Sequence, residues 1–363
     1  MIELGNVIKI FAPTAINVAK ILIPMAVAFF FGLLITPLVT RSLYKYKMWK
    51  KMARTQALGG GGAPIFNKLH KQKETTTPRM GGIIIWGSTL FTIILFAIIG
   101  VVSPTELTEK MNFLSRSQTW LPLFTLLAAS FVGLADDILV IRGKGNYVAG
   151  GLSLVERITA VLFIGAVGGW WFYSKLGYST LTIPFTGTYD LGFYIVPLFM
   201  VVTLALFSGG VIDGIDGLAG GVMASAFVGY AGIAFFQDQI DLAALALVIT
   251  GAILAFLWFN IPPARFYMGE TGMLGLTVTL SVFAFLTRQV PALALIALPL
   301  FVESGSVILQ ILSKKLRGKK IFLVAPIHHH FEALGWPEYQ VTMRFWIISI
   351  IMALVGMVIA IIG

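Results

Sequence analysis

The sequence predicts an all-α polytopic membrane protein with about ten transmembrane helices. Hydrophobic residues make up 58% of the 363 residues and charged residues only 12%, and the mean hydropathy is +0.90. A soluble protein of this composition would expose large apolar patches. Apolar runs long enough to cross a hydrocarbon core of about 30 Å recur along the whole chain. We therefore expect a single integral membrane domain over residues 1–363.

The apolar runs divide the chain into spans and loops. The predicted spans are 18–43, 80–102, 119–139, 157–174, 191–211, 217–236, 241–260, 272–289, 292–313 and 343–362. The loops expected on the cytoplasmic side are about 44–79, 140–156, 212–216, 261–271 and 314–342. The chain start, MIELGNVIKIFAPTAINVAK, lacks a basic segment, so no cleavable signal peptide is expected. Residues 178–190 alternate enough to predict a hairpin on the outer side.

The distribution of charge predicts the orientation. If the 44–79 loop is cytoplasmic, 20 of the 26 Lys and Arg residues lie on that side, as the positive-inside rule requires. Both termini then lie outside. The net charge of +10 follows from this bias, so no nucleic-acid partner is predicted. Cysteine is absent, which excludes disulfides and zinc held by sulfur.

The segment FSGGVIDGIDGLAGG, residues 207–221, places two carboxylates at the end of a span. Asp213 and Asp216 stand three residues apart, so a helical turn would project both to one side. Glycines such as Gly214 leave room for a large polar substrate. Carboxylates at membrane depth indicate a functional site. The alternative is a Gly-rich turn with solvated acids.

A second acidic pair, LADD, ends the third predicted span at Asp136 and Asp137. Neighbouring helical positions point about 100° apart, so we expect the two acids to have different roles. Mg²⁺ suits this collection of oxygen ligands because it keeps waters and shares sites with substrate phosphates. The alternative is a pair of solvated helix-end acids.

The segment FNIPPARFYMGETG, residues 259–272, combines a polar span end with aromatic and acidic groups. Asn260 ends the span, Tyr267 offers an aromatic face, and Glu270 follows Gly269. This combination suits a planar base beside a metal-bound diphosphate. The pattern alone is weakly specific.

Two basic loops add candidates for phosphate contact. Residues 44–79 suit anionic headgroups or phosphates, although the charge could serve topology alone. Residues 314–342 carry KKLRGKK and the sequence APIHHHFEALGWPE. His328, His329 and His330 are consecutive and cannot all bind one metal from a regular helix, so we favour phosphate binding or proton transfer. A structural triplet is the alternative.

These motifs resemble those of the phospho-N-acetylmuramoyl-pentapeptide transferase family, in the polyprenyl-phosphate N-acetylhexosamine-1-phosphate transferase superfamily. LADD resembles the family's paired-aspartate motif, DGIDGLAGG its DGLDGL loop, FLWFN its asparagine motif and FYMGETG its FMGD motif. The run KLRGKKIFLVAPIHHHFEALGWPE resembles its histidine loop and points to the muramoyl-pentapeptide branch. The resemblance covers nearly the whole chain.

The resemblance implies an Mg²⁺-dependent reaction. Phospho-MurNAc-pentapeptide passes from UDP-MurNAc-pentapeptide to undecaprenyl phosphate, which releases UMP and forms lipid I. It also implies a homodimer in the bacterial cytoplasmic (inner) membrane, with the active site on the cytoplasmic face.

The resemblance further assigns roles to individual residues. Catalytic roles fall on Asp136, Asp137, Asp213, His328, His329 and His330, with Asp136 deprotonating the lipid phosphate or acting as nucleophile. Metal binding falls on Glu270, Asp136 and Asp137. Substrate contacts fall on Lys73, Arg79, Asp216, Gly214, Asn260, Tyr267, Gly269 and Gln310, with Tyr267 stacking on uracil.

Several positions depart from the family pattern. Gly210 and Phe207 stand where Asn is usual, Glu270 replaces the usual Asp, and Leu139 replaces a usual Lys. KETTTPRMGG makes Lys73 an offset match for the nucleotide-binding lysine and puts Arg79 where Thr is usual. Two alternatives therefore remain: transfer of a GlcNAc-type sugar phosphate, or a substrate-binding relative without turnover. A one-step transfer and an aspartyl intermediate both fit the residues.

Overall fold

The computed structural model describes residues 4–51, 62, 64–115, 118–144 and 150–363 and is mostly helical. The helices are α1 (Leu4–Lys45), α2 (Pro64–Glu74), α3 (Gly82–Val102), α4 (Glu106–Met111), α5 (Trp120–Arg142), α6 (Leu154–Ser174), α7 (Ile195–Ser208), α8 (Leu218–Phe236), α9 (Ile240–Asn260), α10 (Glu270–Leu286), α11 (Leu293–Ile296), α12 (Leu298–Arg317), α13 (Ile327–Ala333) and α14 (Glu338–Ile362). Short 3₁₀ helices precede α7 at Gly192–Tyr194 and follow it at Gly209–Ile212.

Within the described residues, eight helical segments are long and apolar enough to cross a membrane. They are Ala15–Lys45, Gly82–Val102, Trp120–Arg142, Leu154–Ser174, Gly192–Ile212, Leu218–Phe236, Ile240–Asn260 and Glu338–Ile362. The other two predicted spans fall on α10, a shorter apolar helix, and on α11 with α12. A multi-pass helical membrane protein is thereby confirmed. The count of ten and the orientation remain predictions.

Helices α8, α9 and α10 form the centre of the bundle. Nearly all their side chains are buried, and α10 packs against α5 and α7 while α9 packs against α1 and α8. The outer helices α1 and α14 expose apolar side chains such as Leu34 and Ile347. An apolar outer surface is what a helix facing lipid tails requires.

Glycines let two helices approach the start of α10 closely. A Cβ on Gly133 of α5 would lie 2.0 Å from the carbonyl oxygen of Glu270. A Cβ on Gly82 of α3 would lie 2.3 Å from the backbone nitrogen of Gly272. Only glycine permits such contacts between backbones. The start of α10 is therefore held between α3 and α5.

The predicted hairpin at 178–190 is confirmed. Strands β1 (Thr180–Ile183) and β2 (Gly187–Asp190) pair antiparallel, with Thr180 opposite Asp190. Gly187 has a φ of +119°, a conformation that favours glycine at the turn.

The two long loops contain helical structure that the apolar pattern did not predict. The 44–79 loop contains α2, while the glycines at 59–61 lie outside the described residues. In the 314–342 loop, α12 continues to Arg317, α13 carries the histidines, and α14 begins at Glu338. Both loops border the cavity described next.

Candidate active site

A cavity of about 960 Å³ brings together many of the predicted site residues. Its walls include Arg79, Asp213, Gly214, Tyr267, Gly269, Glu270, Gln310 and His329. Asp136 lies in a narrow adjoining cleft that shares Arg157, Phe207 and Glu270 with the cavity. The predicted residues Lys73, Asp137, Asp216, Asn260, His328 and His330 are not among the lining residues.

Arg157 links two of the predicted acids. Its Nη1 donates to Oε1 of Glu270 at 2.8 Å, and its Nη2 lies 3.0 Å from Oδ2 of Asp136. The other oxygen of Asp136 accepts from the backbone N–H of Leu152 at 2.7 Å. Asp136 is only 2% exposed. The guanidinium therefore lies between Asp136 and Glu270, where it neutralises part of their charge.

Arg157 was assigned only to topology in the sequence analysis. It lies one turn into α6, which begins with a capping box formed by Ser153 and Glu156. A basic residue just after a capping box, at the start of an apolar helix, points back toward the loop before it. That position is the signal that could have identified Arg157 as a site residue.

Asp137 interacts with the first turn of α10. Its Oδ2 accepts from the backbone N–H of Thr271 at 3.0 Å and from the Thr271 hydroxyl at 2.7 Å, while Oδ1 accepts from Arg79 Nε at 3.0 Å. Asp137 is fully buried. Helix N-termini favour anionic partners, so this carboxylate caps α10 from a neighbouring helix. Both of its oxygens are occupied by protein donors.

Asp213 faces the cavity beside the start of α10. Its Oδ2 accepts from the backbone N–H of Gly269 at 3.0 Å, the one hydrogen bond to this side chain among the described residues. Burial raises the pKa of Asp213, and the neighbouring Arg79 partly opposes that rise. Gly269 has a φ of +69°, and a Cβ there would lie 2.3 Å from Oδ2 of Asp137. Glycine is required at this point of close approach.

The charges near the cavity fit a divalent cation. In their ionised forms, Asp136, Asp137, Asp213 and Glu270 would carry four negative charges, against two positive charges on Arg79 and Arg157. An Mg²⁺ ion would neutralise the remainder, and it prefers oxygen ligands. Asp213 and Glu270 fit this role because both line the cavity. Asp137 fits it poorly because its oxygens already accept three hydrogen bonds.

Asp216 and Asp213 bind different partners, and the expected helical turn between them is not formed. Its Oδ2 accepts from Lys73 Nζ at 3.1 Å and from the backbone N–H of Ala264 at 3.0 Å. The segment is not one helical turn: the 3₁₀ helix ends at Ile212, and Gly217 adopts a φ of +79° before α8. The two acids therefore lie on an irregular segment between the 3₁₀ helix and α8.

Glu338 completes the Asp216 network and was not predicted as a site residue. It pairs with Lys73 Nζ, and its Oε1 accepts from the backbone N–H of Asp216 at 2.9 Å. Burial lowers the pKa of Lys73, but Glu338 and Asp216 outweigh it and the net shift is upward. The network joins the end of α2 to the start of α14 and keeps Lys73 charged.

Asn260 joins the two glycine-rich loops. Its Oδ1 accepts from the backbone N–H of Gly217 at 3.1 Å, and its Nδ2 donates to the carbonyl oxygen of Phe266 at 2.8 Å. It is 3% exposed. In this structure Asn260 positions the loops that carry Asp213 and Tyr267.

Tyr267 offers its side chain to the cavity. Its backbone N–H donates to the carbonyl oxygen of Pro78 at 2.8 Å, and its own carbonyl accepts from Gly81 at 2.9 Å. Burial raises the pKa of the Tyr267 phenol. These two backbone hydrogen bonds hold the segment that carries the neutral Tyr267 ring at the cavity wall.

The three consecutive histidines have three different environments. His328 is fully buried, with Nδ1 2.9 Å from Oε2 of Glu303. His329 lines the cavity, with Nδ1 2.6 Å from Oε2 of Glu332. The Nδ1 of His330 accepts from the backbone N–H of Leu323 at 3.2 Å. Only His329 lines the cavity.

Burial also decides the charge of His329. Burial and the neighbouring His328 lower the pKa of His329 to about 3. Burial would raise the pKa of Glu332, but hydrogen bonds from His329 and His70 dominate and lower it to about 2. We therefore expect a neutral imidazole beside an ionised carboxylate near pH 7.

Two residues of α12 contact the histidine loop. Gln310 of α12 accepts on Oε1 from the backbone N–H groups of Ile321 and Phe322, at 2.9 and 3.0 Å, and donates from Nε2 to the Phe322 carbonyl at 2.8 Å. It therefore holds the loop as well as lining the cavity. Glu303, which sequence analysis missed, is fully buried on the same helix.

Comparisons with known proteins show which family the chain resembles. A model of the glycosyl transferase family 4 matches residues 119–288. The chain is 34% identical over 345 residues to a phospho-N-acetylmuramoyl-pentapeptide-transferase of Geobacillus thermodenitrificans, covering 93% of this chain and 96% of the relative. Enzymes of the same name from Geobacillus sp. strain WCH70 and Bacillus subtilis are 36% and 35% identical, each over 78% of this chain and 84% of the relative.

The similarity extends well beyond the segment that the family model matches, because the Geobacillus thermodenitrificans relative aligns with nearly the whole chain. The aligned length includes loops as well as apolar helices. This chain therefore belongs to the phospho-N-acetylmuramoyl-pentapeptide transferase family.

Proposed function

We propose that the protein transfers phospho-MurNAc-pentapeptide from UDP-MurNAc-pentapeptide to undecaprenyl phosphate, forming lipid I and UMP. This reaction is the first membrane step of peptidoglycan synthesis. The observation that carries the proposal is the wall of the 960 Å³ cavity, where Asp213, Glu270 and Tyr267 meet Arg79 and Arg157 in a member of this family.

The polar side of the cavity suits the nucleotide donor. Tyr267 offers a ring on which uracil can stack, and Gly214 and Gly269 let a diphosphate approach the backbone. Arg79 lines the same wall and bears a fixed positive charge. We place the sugar phosphate beside the neutral His329 and the loop held by Gln310.

The apolar side of the cavity suits the lipid acceptor. Side chains of α7 and α12 line it, and Val201 and Ile308 are among the exposed apolar residues there. A polyprenyl tail can pack there without desolvating polar groups. The headgroup then lies toward the acids at the cytoplasmic end of α5.

Asp136 is the proposed base for the lipid phosphate. An acceptor phosphate in the cavity beside this cleft meets Arg157, which attracts the anion and also contacts Asp136. Asp136 takes the phosphate proton; a phosphate oxygen then bonds to the sugar-linked phosphorus, and the bond from that phosphorus to the UMP oxygen breaks. Phosphoryl transfer of this kind depends on positioning and charge neutralisation.

Mg²⁺ is the proposed cofactor, held by Glu270 and Asp213 together with substrate phosphates and water. When bound, it neutralises charge that develops on the phosphates. Asp137 contributes indirectly by capping α10, which positions Glu270. Asp216, Lys73 and Asn260 position the loops on either side.

The membrane arrangement completes the proposal. We propose one domain over residues 1–363 with ten spans, both termini outside and the cavity on the cytoplasmic face of the bacterial inner membrane. The 20 of 26 basic residues assigned to that face support it. We also propose a homodimer, and this part of the proposal is supported only by membership of the family.

The direct test is UMP release by the purified protein given undecaprenyl phosphate and each of two donors, with and without Mg²⁺. We expect release only with UDP-MurNAc-pentapeptide, both substrates and the metal. Release with UDP-GlcNAc alone would reassign the donor. Nucleotide binding without release from either donor would indicate a relative that has lost turnover.

A further inference from the structure

Two histidines and a carboxylate from distant parts of the chain meet beside the cavity. His70 of α2 has its Nε2 3.1 Å from Oε2 of Glu332, and His329 of α13 has its Nδ1 2.6 Å from the same oxygen. One ligand atom from each of the three residues lies within 4.8 Å of the other two. His70 is 6% exposed and His329 4%. We propose that these three residues bind a divalent transition-metal ion of the Zn²⁺ type.

The ligand set decides the class of ion. Two imidazoles and one carboxylate, with a fourth position for water, form a common zinc site, whereas Mg²⁺ selects oxygen ligands. Tetrahedral coordination at ordinary zinc bond lengths separates the donor atoms by about 3.4 Å. Oε2 of Glu332 lies 3.1 Å from Nε2 of His70 and 2.6 Å from Nδ1 of His329. Both distances are shorter than the zinc value by less than about 1 Å, so small side-chain rotations admit the ion.

The surroundings of the cluster favour a defined site. The ring of Phe66 lies 5.1 Å from the imidazole of His70 and 5.1 Å from that of His329, measured between ring centroids. The two imidazoles are 4.8 Å apart. An apolar ring against both ligands limits their rotation and excludes water from one side.

The site is separate from the carboxylates assigned to Mg²⁺. It joins α2 to α13, and both histidines line the cavity, so the open position is reached from the cavity. A bound ion fixes α2 against the histidine loop at the edge of the proposed donor site. Zinc therefore binds this chain whether or not the proposed transferase reaction is correct.

The test measures Zn²⁺ binding to the full-length protein in detergent, without a histidine tag and with saturating Mg²⁺ to occupy the carboxylates. We expect one high-affinity Zn²⁺ per chain, weakened at least about 100-fold by His70→Ala and by Glu332→Gln. His330→Ala is the matched control, because His330 bonds to Leu323 within its own loop. It should leave zinc affinity unchanged.

A second measurement does not depend on how the variants fold. Co²⁺ added to the wild-type protein should give the intense visible absorption of a four-coordinate ion, and Zn²⁺ should displace it. Absence of this absorption, absence of high-affinity zinc binding, or equal zinc affinity in His70→Ala and His330→Ala would each overturn the proposal.

Discussion

Arg157 Nη2 lies 3.0 Å from Oδ2 of Asp136 near the C-terminal end of α5. The same guanidinium donates to Glu270, so one cation is shared by the proposed base and a proposed metal ligand. Neither acid can change its charge or position without affecting Arg157. The relationship connects the acceptor side of the site with its metal side.

Replacing Arg157 tests whether it draws the acceptor phosphate. Arg157→Ala removes charge-assisted contacts that are each worth about 1.5–3 kcal/mol, so we expect kcat/KM for undecaprenyl phosphate to fall about 10- to 100-fold. Arg157→Lys should recover part of this loss, because lysine keeps the charge without the planar fork. Arg142→Ala, at the exposed end of α5, is the control for charge alone. Higher activity in Arg157→Ala would instead mean that Arg157 blocks Asp136.

The cap that Asp137 provides to α10 predicts a difference between two threonines of that helix. Thr271→Val removes a hydroxyl that donates to Asp137 at 2.7 Å, and the lost charge-assisted bond should reduce stability by about 1.5–3 kcal/mol. Thr279→Val is the matched control, since the hydroxyl of Thr279 is buried without a hydrogen-bond partner among the described residues. Thermal unfolding in detergent should show a lower Tm only for Thr271→Val. Equal shifts in Tm for the two variants would show that the bond from Thr271 to Asp137 does not stabilise α10.

The ring of Tyr267 predicts how the donor binds. Base stacking on an aromatic ring is worth about 1–3 kcal/mol, so Tyr267→Ala should raise KM for the UDP donor about 5- to 150-fold. Tyr267→Phe keeps the ring and should stay near the wild-type KM. Steady-state kinetics with varied donor compares the two. An unchanged KM in Tyr267→Ala would place uracil elsewhere.

Glu270 tests the metal assignment at a position where the family usually has Asp. Glu270→Asp keeps a carboxylate, and we expect it to retain or raise Mg²⁺ affinity although it shortens the reach to Arg157. Glu270→Gln removes the charge and should raise the Mg²⁺ concentration for half-maximal UMP release at least about tenfold. Complete inactivity of Glu270→Asp would show that the site is built around the longer side chain.

The helical architecture was predictable because membrane spans are long and apolar. Each of the ten predicted segments falls on a helix, and eight helical segments meet the length and hydropathy of a span. Helix α2 and the extension of α12 to Arg317 were not predicted. Their sequences are polar or basic, so hydropathy carries no signal there, and tertiary contacts decide the helix ends.

The candidate site was predictable where motifs carry it and not where partners come from distant segments. Asp136, Asp213 and Glu270 were found because acids at span ends are unusual. Arg157 and Glu338 were not predicted as site residues, since nothing local shows that α6 and α14 approach these acids. The conformation between Asp213 and Asp216 was not predicted, because a helical turn was assumed where Gly217 adopts a positive φ.

The Asp136→Asn variant tests the central claim most directly. UMP release by this variant is compared with wild type at saturating undecaprenyl phosphate and Mg²⁺, with donor binding and Tm as controls for folding. The account predicts a rate lower by at least about 100-fold, because a general base contributes that much, with donor affinity and Tm close to wild type. A near-normal rate in Asp136→Asn would contradict the proposed mechanism.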